Sequence, residues 1–315
     1  MLSLWIAAHA GAPVGAEAPP FADIAASTVA RGLPVVLRDT PLEAWPARRW
    51  TPRTLSARLT EPLRAVYVGA EGEDELTYFN ESLELVNITA ARFFDICDHR
   101  AGDDSSSSSS ARRHRHAHYS GSLEMWRSSG LHRDVTSAEP GAAADDPSSA
   151  FGVQDATVWM ASAGVVSTTH FDSQSNFFAQ LYGRKTFTLW PPHAVHRMML
   201  SPKADRTRGR SAAQGLDLDG AAFARGRLTF TLIPGDVLYI PPFWFHRVEA
   251  MSTSISISLW TESEATLAAY RAAERVALPF EREWPLHVLE AAAAAFLSRV
   301  VRNVGASERA SESCA

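Results

Sequence analysis

Residues 168–190 read TTHFDSQSNFFAQLYGRKTFTLW, and the reading of this stretch decides the fold. Its runs SNFFAQLYG and KTFTLW are short, apolar or alternating, and separated by a glycine. Working outward, ATVWMA, RLTFTLI, DVLYI and SISISLW repeat the pattern between about Val153 and Trp260, with Gly, Pro and Asp between the runs. Short strands recurring with turn residues predict a mainly β architecture, a barrel or a sandwich. The longest gap, 201–220, is polar and reads as an exposed loop.

The same stretch carries the chemistry. In an extended strand, side chains at i and i+2 share a face, so His170 and Asp172 would present an imidazole and a carboxylate side by side. Alone, that triplet also fits a surface pair near a strand end. Further along, residues 235–246 read GDVLYIPPFWFH: a Gly-Asp turn, a hydrophobic strand, two prolines, and His246 among aromatics. A histidine in that setting is often a satisfied core residue, but brought to His170 and Asp172 by a barrel, His246 would complete two imidazoles and one carboxylate on one side of a metal. That is the facial triad of non-haem Fe(II) oxygenases, which leaves positions open for cosubstrate, water and dioxygen. Lys185 shares parity with Phe187 and Leu189 on KTFTLW, which allows it to point inward, although a strand-end lysine that snorkels to solvent fits the same pattern. A buried ammonium is costly unless paired, and a dicarboxylate cosubstrate would be its partner.

The flanks are less regular. Leu33–Arg38 reads as a strand. Thr51-Pro52 reads as an N-cap followed by proline at the first helical position, with Leu55 and Leu59 on one helix face. Ala65–Val68 and Leu76–Phe79 are candidate strands, and a helix from about Thr89 carries Phe93, Phe94 and Ile96 toward a core. Ser105–Ser110 and the basic stretch through His114, His116 and His118 read as a disordered, solvated loop. Ala138–Ser149 is linker-like. Two helices, 263–278 and 285–304, end the chain, the second with an apolar stripe at three- and four-residue steps. The expected division is a flexible start at 1–20, α/β elements at 21–150 (the Ser/His-rich loop at 101–118), a β core at 151–262 and helices at 263–315.

The chain has 315 residues, 46% hydrophobic and 21% charged, with a formal net charge of -5. That balance disfavours a nucleic-acid partner, and no run approaches the roughly 20 apolar residues of a membrane span. Two distant cysteines, Cys97 and Cys314, make neither a disulfide framework nor a zinc knuckle, so a reducing cytoplasmic or nuclear setting is expected. The opening MLSLWIAAHAGAPVGA has an apolar run but no positively charged start, which weakens a secretory reading.

Together, His170–Trp190 and Gly235–His246 resemble the JmjC/cupin-like Fe(II)/2-oxoglutarate oxygenases. Within them they are most similar to the asparaginyl hydroxylase inhibiting hypoxia-inducible factor. The resemblance is close over Val158–Trp260. It implies a double-stranded β-helix (jelly-roll) with a C-terminal helical extension, Fe(II) on His170, Asp172 and His246, and Lys185 paired with the distal carboxylate of 2-oxoglutarate. Tyr119, Ser167 and Asn176 match other cosubstrate-pocket positions. Ser258 replaces an asparagine of that relative, and Trp260 would line the pocket floor. The C-terminal helices resemble a dimerisation element. The implied reaction consumes O2, converts 2-oxoglutarate to succinate and CO2, and hydroxylates a side chain of a protein or peptide substrate. Demethylation of N-methyl-lysine and hydroxylation of tRNA use the same chemistry. A catalytically silent, metal-binding cupin serving as an interaction module is the reading of a different class.

Overall fold

A computed structural model describes residues 32–38, 40, 44–69, 84–98, 116–135, 153–198 and 221–261. The expected strand Leu76–Phe79, the serine run, His114, the linker at 138–149, the loop 201–220 and both C-terminal helices lie outside the described residues.

Twelve described strands form two antiparallel sheets. The larger has the order β1 (Val35–Leu37), β10 (Val237–Ile240), β7 (Ser175–Tyr182), β12 (Ser254–Thr261), β5 (Val153–Ala161), β4 (Ala117–Ser122), β2 (Leu63–Val68), β3 (Glu84–Ile88). The smaller has the order β6 (Val166–His170), β11 (Phe245–Ala250), β8 (Lys185–Trp190), β9 (Leu228–Leu232). Every apolar run singled out in the core became a strand. Three strands were not read as such: β3, whose sequence ELVNI sets its two polar residues three apart, β4, which begins inside the stretch read as a solvated loop, and β11, whose histidine and charges hide its alternation.

Local signals in the flank hold. Helix α1 (Pro52–Arg58) starts with Thr51 and Thr54 closing a reciprocal capping box, Pro52 at the first turn, and Leu55 and Leu59 buried beneath it. Helix α2 (Ala90–Asp98) begins after Thr89, whose Oγ1 accepts from the Arg92 N–H at 3.2 Å. It buries Phe93, Phe94, Ile96 and Cys97. These helices pack in one apolar cluster with Trp45, Trp50 and Trp126 against sheet residues such as Met160 of β5. Asp134 ties this layer together by accepting from Trp50 Nε1 at 2.7 Å and pairing with the Arg58 guanidinium.

The inner faces of the two sheets meet in a sandwich. One half is filled by Phe178, Phe187, Leu189, Leu232, Leu238, Ile240 and Trp244. The other half is hollow.

The expected Ser/His-rich loop needs a correction at its C-terminal end. His116 and His118 are 2% and 5% exposed. The reason is pairing: β4 lies between β2 and β5, with His118 opposite Tyr67 on one side and Ala161 on the other. His116 Nδ1 donates to the Ala163 carbonyl at 3.1 Å. Composition marks such a stretch as polar but carries no information about two ladder neighbours.

Candidate active site

Ladder register builds the site. β11 is the partner of both β6 and β8, and His246 stands directly opposite His170 on one side and Leu189 on the other. Strand β6 stops at His170, and Asp172 follows in the loop, still converging on the histidines. The carboxylate lies 4.0 Å from His170 Nε2 and 3.4 Å from His246 Nε2, and one ligand atom from each residue falls within 4.8 Å of the others. The imidazole ring centroids are 4.3 Å apart.

Both tautomers are set by backbone. His170 Nδ1 lies 2.7 Å from the Thr168 carbonyl and His246 Nδ1 lies 3.0 Å from the Trp244 carbonyl. A carbonyl can only accept, so each Nδ1 carries the proton and each Nε2 presents its lone pair to the same point. Backbone partners of this kind orient ligating histidines. Three convergent N, N, O donors, one of them anionic, fit a divalent transition metal and leave several coordination positions open.

Beyond the triad, a pocket of about 770 Å3, counted to its open mouth, runs between the sheets. Parity explains its lining. Asn176 and Phe178 on β7 face Trp260 and Ser258 on β12, and on the small sheet Lys185 faces Ala250 while Val248 faces both Phe187 and Ser167. All of these line the pocket. Ser258 accepts from Trp159 Nε1 at 2.9 Å, Trp260 Nε1 donates to Thr157 at 3.1 Å, and Ser167 accepts from the Val248 N–H at 3.0 Å. The buried Asn176 side-chain oxygen has no partner among the described residues.

Lys185 is 4% exposed and its ammonium lies 5.2 Å from the Phe178 ring centroid. Among the described residues no carboxylate pairs with it, and burial alone lowers its pKa to about 7. A cationic group held inside an apolar wall without an anion is the feature a carboxylate ligand would relieve.

Tyr119 is not brought to this pocket. It pairs with Met160, on the face of β4 turned to the outer core, where its hydroxyl accepts from Trp126 Nε1 at 3.2 Å and the two rings stack. Alternation along β4 puts its neighbour His118 in the pocket instead, 5.9 Å from the Trp159 ring. His118 and Trp159 were missed by motif reading; the parity of ATVWMA and of AHYS was the available signal.

A double-stranded antiparallel β-sandwich with a His-Asp-His triad at one mouth defines a JmjC-type cupin. A family model described as a cupin-like domain matches residues 22–266, and the chain belongs to that family. Lysine-specific demethylase JMJ30 of Arabidopsis thaliana is 33% identical over 118 residues, 36% of this chain and 27% of that protein. Human HSPB1-associated protein 1 is 27% identical over 276 residues, 82% of this chain and 54% of that protein. The chain thus spans about half or less of the length of these relatives. A solved structure of YcfD, a ribosomal oxygenase from Escherichia coli, in complex with cobalt and succinic acid, aligns over 79% of this chain and 53% of that one. Its identity is 15% and its TM-score 0.37.

Proposed function

We propose that this protein is an Fe(II)- and 2-oxoglutarate-dependent dioxygenase that hydroxylates a side chain of a protein or peptide substrate. The observation that carries the reading is Lys185: a buried amine with no anionic partner among the described residues, in the same pocket as three convergent donors. A zinc hydrolase or a purely structural metal site gives that lysine no partner.

Iron supplies the redox chemistry when bound: one O2 is consumed, 2-oxoglutarate becomes succinate and CO2, and a substrate C–H becomes C–OH. The chain supplies the rest. His170, His246 and Asp172 would hold the metal at the mouth of the pocket. Lys185 fixes the far carboxylate of the cosubstrate, with Ser167, Ser258 and His118 around it. Trp159, Phe178, Phe187 and Val248 exclude water, which strengthens that ion pair. Asn176, with its open acceptor, and Trp260 stand opposite each other on neighbouring strands and border the space between metal and cosubstrate.

The test is to add Fe(II) and 2-oxoglutarate to anaerobically purified protein and measure succinate on admitting oxygen. Succinate that disappears in His170→Ala, and that requires more 2-oxoglutarate in Lys185→Ala, supports the reading. Absence of turnover together with absence of metal-dependent 2-oxoglutarate binding overturns it and leaves the catalytically silent cupin. The relative named a lysine-specific demethylase favours a second outcome on the same chemistry: formaldehyde released from an N-methyl-lysine peptide would move the assignment from stable hydroxylation to demethylation.

A further inference from the structure

The segment between β10 and β11 contains a conformational oddity beside the metal site. Pro241 accepts a hydrogen bond from the Trp244 N–H at 3.4 Å, which closes a four-residue turn with Pro242 and Phe243 at its centre. Phe243 has φ of 65°. Proline at the second position and positive φ at the third make this a type II turn, whose third position ordinarily takes glycine or asparagine. A phenylalanine there is strained, because its Cβ crowds its own backbone in the left-handed region.

What holds it is the other ligand-bearing segment. The Phe243 N–H donates to the Asp172 carbonyl at 2.7 Å. The Phe243 ring is 5% exposed and lies 6.0 Å from the ring of Phe171, the residue between the two ligands His170 and Asp172. Phe171 in turn meets Phe245 edge-on at 5.4 Å, and Phe245 precedes His246. One hydrogen bond and three rings therefore join the 170–172 segment to the 243–246 segment. These two segments carry all three donors.

We infer that Phe243 is a positioning residue for the metal site: its strained backbone and buried ring latch the segment bearing Asp172 onto the segment bearing His246. Glycine would satisfy the turn without strain but would remove one of the two rings that Phe171 meets, so the phenylalanine serves the metal segment rather than the turn. The inference rests on the triad being a metal site and is independent of any reaction at it.

The test uses the full chain and Co(II) as a spectroscopic probe. Affinity comes from a competition titration, coordination geometry from the visible absorption bands, and fold from the melting of metal-free protein. Phe243→Gly keeps the positive φ and the N–H while removing the ring. It is expected to weaken Co(II) binding by about ten- to a hundredfold and to alter the visible spectrum, the range seen when partners of metal ligands are removed. Metal-free melting should change much less, since relief of strain offsets lost burial. Phe243→Leu, which retains an apolar group against Phe171, should recover part of the affinity. Phe171→Leu reads the same contact from the other side, and combining it with Phe243→Leu should cost less than the two losses added. Phe243→Gly binding Co(II) within about twofold of wild type, with an unchanged spectrum, overturns the inference. If that variant does not fold, fully additive losses in the leucine pair overturn it equally. Wild-type protein that binds no Co(II) would instead sink the metal-site reading itself.

Discussion

Lys185 shows most directly what one side chain contributes. Burial lowers its pKa from 10.5 to about 7, so without a ligand it is half-charged near neutrality. An anionic ligand favours the charged form and raises the pKa in the complex. On the proposed reading, 2-oxoglutarate should bind more tightly near pH 7 than above it, weakening by roughly tenfold per unit once the pH exceeds the free lysine's pKa. Calorimetric titration of the Ni(II)-loaded protein between pH 6.5 and 8.5 should show this slope, and Lys185→Met should flatten it while weakening binding at the lower pH. An equal slope in both proteins would mean that Lys185 is not the carboxylate's partner. Strand parity allowed Lys185 either to point inward or to snorkel from the strand end, and the structure buries it. The sequence did not place Tyr119 and His118 correctly, because motif matching selects a residue type whereas a strand face is chosen by register. A one-residue offset reverses the face.

At the scale of elements, turns and ladders set the geometry. Gly183 joins β7 to β8 with φ of +70°, and a Cβ there would sit 2.0 Å from the Thr253 carbonyl oxygen. Gly183→Ala must displace backbone as well as adopt an unfavourable φ, so a loss of about 2–4 kcal/mol is expected, the size of the larger single-site effects. Chemical denaturation measures it; a loss under about 0.5 kcal/mol would mean the turn has another route. At the start of α1, Thr51→Ala removes one half of the capping box, with an expected cost of about 1 kcal/mol in the same measurement. Such local devices were legible because caps and turns depend on neighbouring residues alone. Strands β4 and β11 were not, although β11 carries one of the three donors. Their sequences are too polar to alternate cleanly, and pairing with neighbours on both sides is what makes β11 a strand.

The whole molecule adds a linkage between the metal and the fold. The donors come from β6, the loop after it and β11, so an ion holding all three joins segments that are separate in the unfolded chain. Metal binds the folded state preferentially and should raise stability by about 2.7 kcal/mol at a concentration a hundredfold above Kd. Differential scanning fluorimetry should show a rise in Tm with Co(II), its reversal by a chelator, and no rise in His170→Ala. Acidification should remove the effect as well, because the imidazoles must be neutral and Asp172 ionised to bind. A Tm indifferent to metal in the wild type would count against the triad as a binding site.

Taken by itself, the sequence determined the β-rich class, the apolar strands of the core and the capped helix α1, whereas the three donors and the role of Lys185 came from the resemblance of two separated motifs to the JmjC/cupin-like oxygenases. The class, the strands and the helix follow from short-range patterns: period-two alternation, or a capping residue followed by proline. Only the tertiary structure decided that His246 lies opposite His170, that His118 rather than Tyr119 faces the pocket, and that Phe243 closes on Asp172. Those facts depend on which strands pair and in which register. Register is set by the fit of two buried faces to each other, and that fit exists only once the sheets have packed.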